Sequence, residues 1–215
     1  MPTSSRDGGG TRTKPRDYRN FLTVDAIIAE ATAVADADGL EAVSMRVLAD
    51  RLGCTPRALY RHVSGKDEVL ELLADAALGD IPDARTDITW QDSLLDFFVA
   101  MRAKLVALPA VATIVAQQAV AGPHFHRHAN RLVGILLDAG FDADAAADTV
   151  VTLAYYTLGA SLPGTGQRLH DTYRVREINT TMLPALAHIA GHFNADSAEH
   201  RFRTSLYRLI GTYGP

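Results

Sequence analysis

The sequence predicts an all-α fold, with a small N-terminal helical unit followed by a larger C-terminal helical domain. Apolar residues make up 47% of the 215-residue chain and recur at the three- to four-residue spacing of helices. No segment shows the strict alternation that is typical of a half-buried strand, and aromatic residues make up only 7%. Glycines and prolines divide the chain into segments of helical length, which indicates short connections between helices.

The first ordered helix is predicted to begin near residue 23. Residues 1–20 contain three consecutive glycines and lack apolar periodicity, so we expect a disordered arm there. Its five basic residues against two acids fit a solubilising tail or an arm that follows a nucleic-acid groove. Thr23 is a good N-cap, and Gly39 follows the apolar stripe as a helix stop.

Two short helices and a longer one follow within residues 44–78. Ser44 caps a helix over residues 45–52 that ends at Gly53. Thr55 supplies a capping hydroxyl for the next helix, in which proline occupies the first position, and this helix runs to about residue 63. The segment 64–67 has capping-box spacing and begins a fourth helix that ends near residue 78.

Residues 79–89 are the best candidate for a domain boundary, because they hold Pro82 and four charges without periodicity. The sequence therefore predicts an N-terminal domain over residues 21–80 and a C-terminal domain over residues 88–215. Six further helices are predicted, over residues 90–107, 111–120, 124–139, 143–161, 175–193 and 197–213.

Composition excludes several classes of protein. A single cysteine, Cys54, excludes an intramolecular disulfide framework and a cysteine-rich zinc site, and it suits a reducing cytoplasm. No apolar run reaches the roughly 18 residues of a membrane span, and no apolar stretch follows the basic N-terminus as in a secretory signal. We therefore expect a cytoplasmic protein with no membrane partner.

The second and third helices have the layout of a helix-turn-helix. Ala49 is small where the helices approach closely, and Gly53 can adopt the positive φ of the turn. Leu48, Leu52 and Leu59 are predicted to fill the shared core. Although the net charge of the chain is −4, residues 44–66 carry five basic side chains against one acid. A basic patch on an acidic body is typical of a phosphate-binding surface.

The outward face of the third helix carries side chains suited to the major groove of DNA. Arg57 and Arg61 can contact base edges or phosphates, while Tyr60 and Lys66 are placed for phosphates. His62 fits either a phosphate contact or packing against the first helix. The candidate DNA contacts are Ser44, which is first of all a cap, Arg46, Thr55, Pro56, Arg57, Tyr60, Arg61, His62 and Lys66.

Three motifs in this region resemble the DNA-binding domain of the tetracycline-repressor (TetR) family. They are Gly39 to Arg46 (GLEAVSMR), Leu48 to Gly53 (LADRLG) and Ala58 to Asp67 (ALYRHVSGKD). The resemblance implies a three-helix DNA-reading unit, an all-α effector-binding domain and a homodimer.

The C-terminal half is similar to the C-terminal domain of the tetracycline repressors themselves. The segments that carry this similarity are Thr89 to Asp92 (TWQD), Leu136 to Phe141 (LLDAGF) and Tyr156 to Gly159 (YTLG). Members of that subgroup use a histidine before a proline-linked turn to bind a metal–drug complex. Residues 112–121 contain no histidine here, so we expect neither a magnesium–tetracycline effector nor any cofactor.

An apolar effector cavity needs a few polar groups to orient its guest. Aromatic, sulfur and amide side chains on the C-terminal helices are the candidates, although each fits ordinary core packing as well. They are Phe97, Met101, Gln118, Tyr155 and Tyr156.

The pair His124 and His128 shares one helix face and invites a metal site, but no carboxylate lies beside it in the sequence, so we predict no metal.

Helices 143–161 and 197–213 are too apolar for a solvent face, and pairing with a second subunit would bury them.

These observations predict a DNA-binding regulator, not an enzyme, that is released from a palindromic operator by a small molecule. Two alternatives remain open. One is a regulator that activates transcription or needs no effector. The other is a metal-dependent helical enzyme that uses His124 and His128.

Overall fold

The computed structural model describes residues 22–165, 182–185 and 198–214, and these residues form helices, turns and connections without any strand. The all-α prediction is therefore confirmed. The predicted arm over residues 1–20 and most of the predicted helix over residues 175–193 lie outside the described residues. The α-helices are α1 (Val24–Asp38), α2 (Met45–Arg51), α3 (Pro56–Leu59), α4 (Lys66–Gly79), α5 (Trp90–Ala107), α6 (Pro109–Gln117), α7 (Pro123–Asp138), α8 (Ala143–Ser161) and α9 (Ala198–Ile210).

Helix α1 begins and ends as its sequence predicts. The Thr23 hydroxyl accepts a hydrogen bond from the backbone N–H of Ala26 at 3.1 Å, and Gly39 closes the helix with a φ of 86°. The side chains of Ile27, Ala31 and Val34 are fully buried on the inner face. A short 3₁₀ turn over Leu40–Ala42 follows, and no sequence signal predicted it.

The third helix is shorter than predicted. Regular α-helix covers only Pro56–Leu59, and the chain then tightens into a turn instead of continuing to residue 63. The N–H groups of Arg61 and His62 bond carbonyl groups three residues back, at 3.3 and 2.9 Å, which is the 3₁₀ pattern that often ends helices. Thr55 precedes the helix in extended conformation, but its hydroxyl makes no capping bond, so the predicted cap is wrong.

Helix α4 starts with a different acid from the one predicted. The carboxylate of Glu68, not that of Asp67, accepts the backbone N–H of Ser64. This bond lowers the pKa of Glu68 below its ordinary value, because it stabilises the ionised carboxylate. The helix then buries Val69, Leu73 and Leu78.

Helices α6 and α7 each begin with proline at the first position, two residues and one residue earlier than predicted. In the sequence, Pro109 and Pro123 looked like helix breaks. A proline is equally favourable at the first helical position, where its missing N–H has no intrahelical partner to lose.

One continuous hydrophobic core joins both predicted domains. In the N-terminal part it contains Leu48 and Leu59, both fully buried, whereas Leu52 is only half-buried. In the C-terminal part Phe98 of α5 and Leu153 of α8 are almost completely buried, together with α9 residues Phe202, Leu206 and Ile210.

The predicted boundary segment, residues 79–89, contacts the C-terminal helices at several points. Ile81 and Ala84 are 4% exposed, and the Ala84 carbonyl accepts a hydrogen bond from Arg131 of α7 at 2.9 Å. At its start Asp80 receives a hydrogen bond of 2.6 Å from Lys104 of α5, which holds the pKa of the Asp80 carboxyl below its usual value. The segment therefore fixes the end of α4 to the C-terminal helices.

Among the described residues no single helix is long and apolar enough to cross a membrane. Helices α5 and α6 reach that length and composition only as a pair, and they are bent by 109° at their junction.

Candidate nucleic-acid interface and ligand domain

Helix α3 and the turn that follows it present one buried and one exposed face, as the helix-turn-helix prediction requires. Leu59 is fully buried against the core, whereas Arg57, Arg61 and His62 are exposed and Tyr60 is 54% exposed. Gly53 turns the chain between α2 and α3 with a φ of 64°, a backbone conformation that residues with a side chain rarely adopt. Because the arginines point away from the core, they are free to meet an external partner.

The basic side chains of this surface have no acidic partner within the described ranges. Arg46, Arg57, Arg61 and Lys66 make no ion pair there. Arg51 differs, because its guanidinium bonds Glu30 at 3.3 Å and Asp38 at 3.1 Å, which ties α2 to α1. Arg51 therefore braces the unit internally, while the other four cations remain available for phosphates.

The ends of α2 and α4 flank helix α3. Ser44 caps α2, since its Oγ accepts the N–H of Val47 at 3.3 Å, and Arg46 is exposed in the first turn. Lys66 is half-buried at the first position of α4. Thr55 and Pro56 are exposed at the start of α3.

Cys54 sits half-buried in the turn before α3. Burial raises the pKa of its thiol, because the thiolate loses solvation there. The thiol is therefore less reactive than a free cysteine, in agreement with a packing role.

Two family models match this chain and together span both predicted parts. One, described as bacterial regulatory proteins of the tetR family, matches residues 27–73. The other, described as the tetracyclin repressor-like C-terminal domain, matches residues 81–211, which is more than half of the chain. The chain belongs to the TetR family. It is therefore a DNA-binding transcriptional regulator with a helical ligand-binding domain, and the family resemblance of the sequence is confirmed.

Individual TetR-family members are similar over much of the chain. An HTH-type transcriptional regulator of Saccharopolyspora erythraea is 31% identical, over 94% of this chain and 86% of its own length. The class C tetracycline repressor of Escherichia coli is 33% identical over 66% of each protein. The crystal structure of the TetR-family protein ActR of Streptomyces coelicolor with (S)-DNPA superposes with a TM-score of 0.77. It shares 27% identity and covers 89% of this chain and 96% of its own.

The structure separates the five predicted ligand residues of this TetR-family domain. Phe97 is buried on α5, 5.1 Å from the ring of His128, and Met101 lies half-buried on the same helix. Tyr156 of α8 stacks on Phe202 of α9, with ring centroids 5.3 Å apart. These three face the interior of the C-terminal domain.

Two of the five lie elsewhere, so the structure does not bring them together with the other three. Gln118 ends α6 at the junction with α4, where its side-chain amide donates to the Asp67 carbonyl at 3.0 Å. Tyr155 is 72% exposed on the outer face of α8. Helical periodicity could not distinguish Tyr155 from Tyr156, because both neighbours in an adjacent aromatic pair look equally apolar in sequence.

Two histidines of α7, His124 and His128, have polar contacts within the protein. The buried His128 has its Nε2 3.1 Å from the Leu78 carbonyl and its Nδ1 3.3 Å from Asp83. His124 contacts Arg127, with 3.3 Å between Nδ1 and the guanidinium. In the part of the chain that the structure describes, no three histidine, cysteine or acidic residues are grouped as metal ligands.

A buried carboxylate that no sequence pattern indicated joins the two domains. Asp75 of α4 is 3% exposed and accepts the backbone N–H groups of His124 at 3.2 Å and Phe125 at 2.8 Å. These are first-turn donors of α7, whose own N-cap residue, Gly122, has no side chain to bond them. A Cβ atom on Gly122 would overlap the Asp75 carboxyl group, so only glycine fits.

Two further contacts extend this junction along α4. Glu71 accepts the N–H of Ala121 at 3.1 Å, and the Asp67 carbonyl receives the Gln118 amide. We name Asp67, Glu71 and Asp75, with the residues 118–125 that they hold, the α4 clasp. The three α4 residues are spaced four apart and therefore lie on one face of the helix. The clasp connects α4, which begins beside the candidate DNA-binding surface, to α6 and α7.

Proposed function

We propose that this TetR-family regulator is a homodimeric repressor that leaves a palindromic operator when a small molecule enters its C-terminal domain. The observation that carries the proposal is the exposed face of α3 and of the turn after it, where Arg57 and Arg61 make no ion pair with any described residue. The proposal also includes a regulatory role, not an enzymatic one, and a location in the cytoplasm.

In this proposal the interface residues divide into two groups. Arg57 and Arg61, on and just after α3, read base edges in the major groove, with Thr55 and Pro56 close to the DNA. Phosphate contacts hold the register but carry no sequence information. We assign these to Arg46, Tyr60, His62 and Lys66, while Ser44 orients α2 as its cap.

Lys66→Ala tests the phosphate assignment. The variant is expected to weaken binding to all duplexes by a similar factor, because a phosphate contact is independent of base sequence. The slope of log affinity against log salt concentration should fall by about one, since one fewer counterion is released. Anisotropy titrations of an operator and a scrambled duplex across a salt series measure both. A loss confined to the operator would contradict the assignment.

The dimer is proposed to form through the outer faces of α8 and α9. Val151 and Tyr155 of α8 are 46% and 72% exposed, and Tyr207 of α9 is 62% exposed. A four-helix interface between two copies would bury these apolar side chains and place the two α3 helices in successive major grooves.

Tyr155→Asp is expected to convert the dimer into a monomer, because it places a charge at the centre of the proposed apolar interface. Size-exclusion chromatography with light scattering gives the mass directly. Val106→Asp is the matched control, since Val106 is 49% exposed on α5 and lies outside α8 and α9. A dimeric Tyr155→Asp protein would place the interface elsewhere.

Helix α4 is proposed to transmit the ligand signal. Its clasp fixes it to α6 and α7, so a ligand that displaces those helices also moves the DNA-binding unit. A ligand shifts the population only through its different affinity for the two arrangements. ActR, which superposes on this chain, has been solved with actinorhodin as well as with (S)-DNPA. These two compounds are therefore reasonable first candidates for a release assay.

Selection of bound duplexes from a random pool tests the repressor proposal. The enriched sequence is expected to contain two inverted half-sites, and a subset of small molecules should release it in anisotropy assays. If no sequence is enriched at low salt, the result contradicts sequence-specific binding to DNA. If the protein binds its operator normally and no compound releases it, the effector-independent alternative is favoured.

A further inference from the structure

Arg102 of α5 is half-buried, and its guanidinium has no counter-charge among the described residues. Its Nε is buried and has no hydrogen-bond partner, and no described carboxylate lies within ion-pair distance of the guanidinium. Two other basic residues of the same domain are paired, Arg127 with Asp83 at 3.1 Å and Lys104 with Asp80 at 2.6 Å. Buried polar groups normally have partners, so this one calls for a specific reason.

Aromatic rings hold the guanidinium in position. The Cζ atom of Arg102 lies 4.9 Å from the centroid of the Phe202 ring, a distance suited to a cation–π contact. Phe202 is 4% exposed and stacks on Tyr156 at an interplanar angle of 8°. A guanidinium fixed in this way loses little further freedom when its N–H groups bond a planar carboxylate in the bidentate arrangement.

The charges and the neighbouring side chains define the chemistry of the missing partner. Arg102 offers one unmatched positive charge, while Lys104 on the same helix is already paired, so a dianion would remain half neutralised. The stacked rings of Phe202 and Tyr156 supply apolar surface beside the guanidinium.

We infer that Arg102 binds the carboxylate of the effector, and that the effector is an organic monoacid with an apolar body. The inference deepens the proposed function and rests on the presence of a ligand site in this domain. It also assigns a cost to the ligand-free protein, in which a partly desolvated cation has no partner.

Arg102→Met tests that cost without any ligand, because methionine keeps the apolar stem and removes the charge. The unfolding temperature of the ligand-free variant is expected to equal or exceed that of the wild type. Arg85→Met, at an exposed arginine paired with Asp87, is the control for loss of one charge. A lower unfolding temperature, or a change in mass from dimer to monomer, would overturn the inference. It would indicate that Arg102 pairs within the protein or with a second copy.

Benzoate and benzamide then test the anion preference, since they share shape and differ in charge. In thermal-shift titrations benzoate is expected to raise the unfolding temperature of the wild type and of Arg85→Met more than benzamide does. Arg102→Met should abolish the difference. Equal shifts in the wild type, or a difference that survives in Arg102→Met, would overturn the inference. Neither measurement involves DNA, so a failure to find an operator would contradict the proposed function alone.

Discussion

The double variant Arg57→Ala, Arg61→Ala is expected to lose operator recognition while folding normally. Each arginine that contacts a base edge contributes about 1–3 kcal/mol of discrimination, so the pair should cost about 2–6 kcal/mol. That corresponds to a loss of roughly thirtyfold or more in specific affinity. Both side chains are exposed and make no ion pair within the described chain, so their removal leaves no buried group unsatisfied.

Arg85→Ala is the matched control for this experiment, because Arg85 is an exposed arginine that bonds Asp87 outside the proposed interface. In anisotropy titrations with the selected operator, the Arg85→Ala variant should bind with an affinity near the wild-type value. Circular dichroism and thermal unfolding check that the double variant is folded. If the double variant keeps the operator affinity of the wild type, α3 is not the helix that reads the bases.

Gly122→Ala is expected to be the most destabilising single change in the clasp. The new Cβ would overlap the buried Asp75 carboxyl group, so α4 and α7 must separate or the carboxylate must leave its two N–H donors. Overpacking and the loss of a buried hydrogen-bonded carboxylate together should cost about 3 kcal/mol. The unfolding temperature should therefore fall by roughly 6–12 °C.

Gly134→Ala provides a control in the same helix. A Cβ atom on Gly134 would meet no atom of a neighbouring element within 4 Å, and alanine is the better helix former, so this variant should be as stable as the wild type or more so. Combining Gly122→Ala with Asp75→Ala should restore part of the lost stability, because the clash partner is removed. A Gly122→Ala protein as stable as the wild type would contradict the role of Asp75 as the cap of α7.

The DNA-binding half could be predicted closely from the sequence because its signals are local. Caps such as Thr23 and Ser44, and the turn glycine Gly53, act within a few residues and are visible as patterns. The length of α3 was harder to predict from the sequence. The 3₁₀ turn after Leu59 depends on how the chain enters α4, and propensity does not encode that.

The clasp and Arg102 could not be predicted, because their partners are distant in the sequence. Asp75 and Gly122 are separated by 47 positions, and each alone looks ordinary: an acid on a helix and a glycine before a proline. The available signal was the glycine–proline pair, which opens α7 without a capping side chain. An acid elsewhere had to supply that cap.

A hydroxyl-radical footprint on the selected duplex tests the central claim most directly. If two copies of this chain present their α3 helices symmetrically, the footprint should show two protected half-sites. Their centres should be about 34–36 Å apart, or a multiple of one helical turn, and Arg57→Ala with Arg61→Ala should remove both. A single protected patch, or two patches that persist in the double variant, would contradict the account.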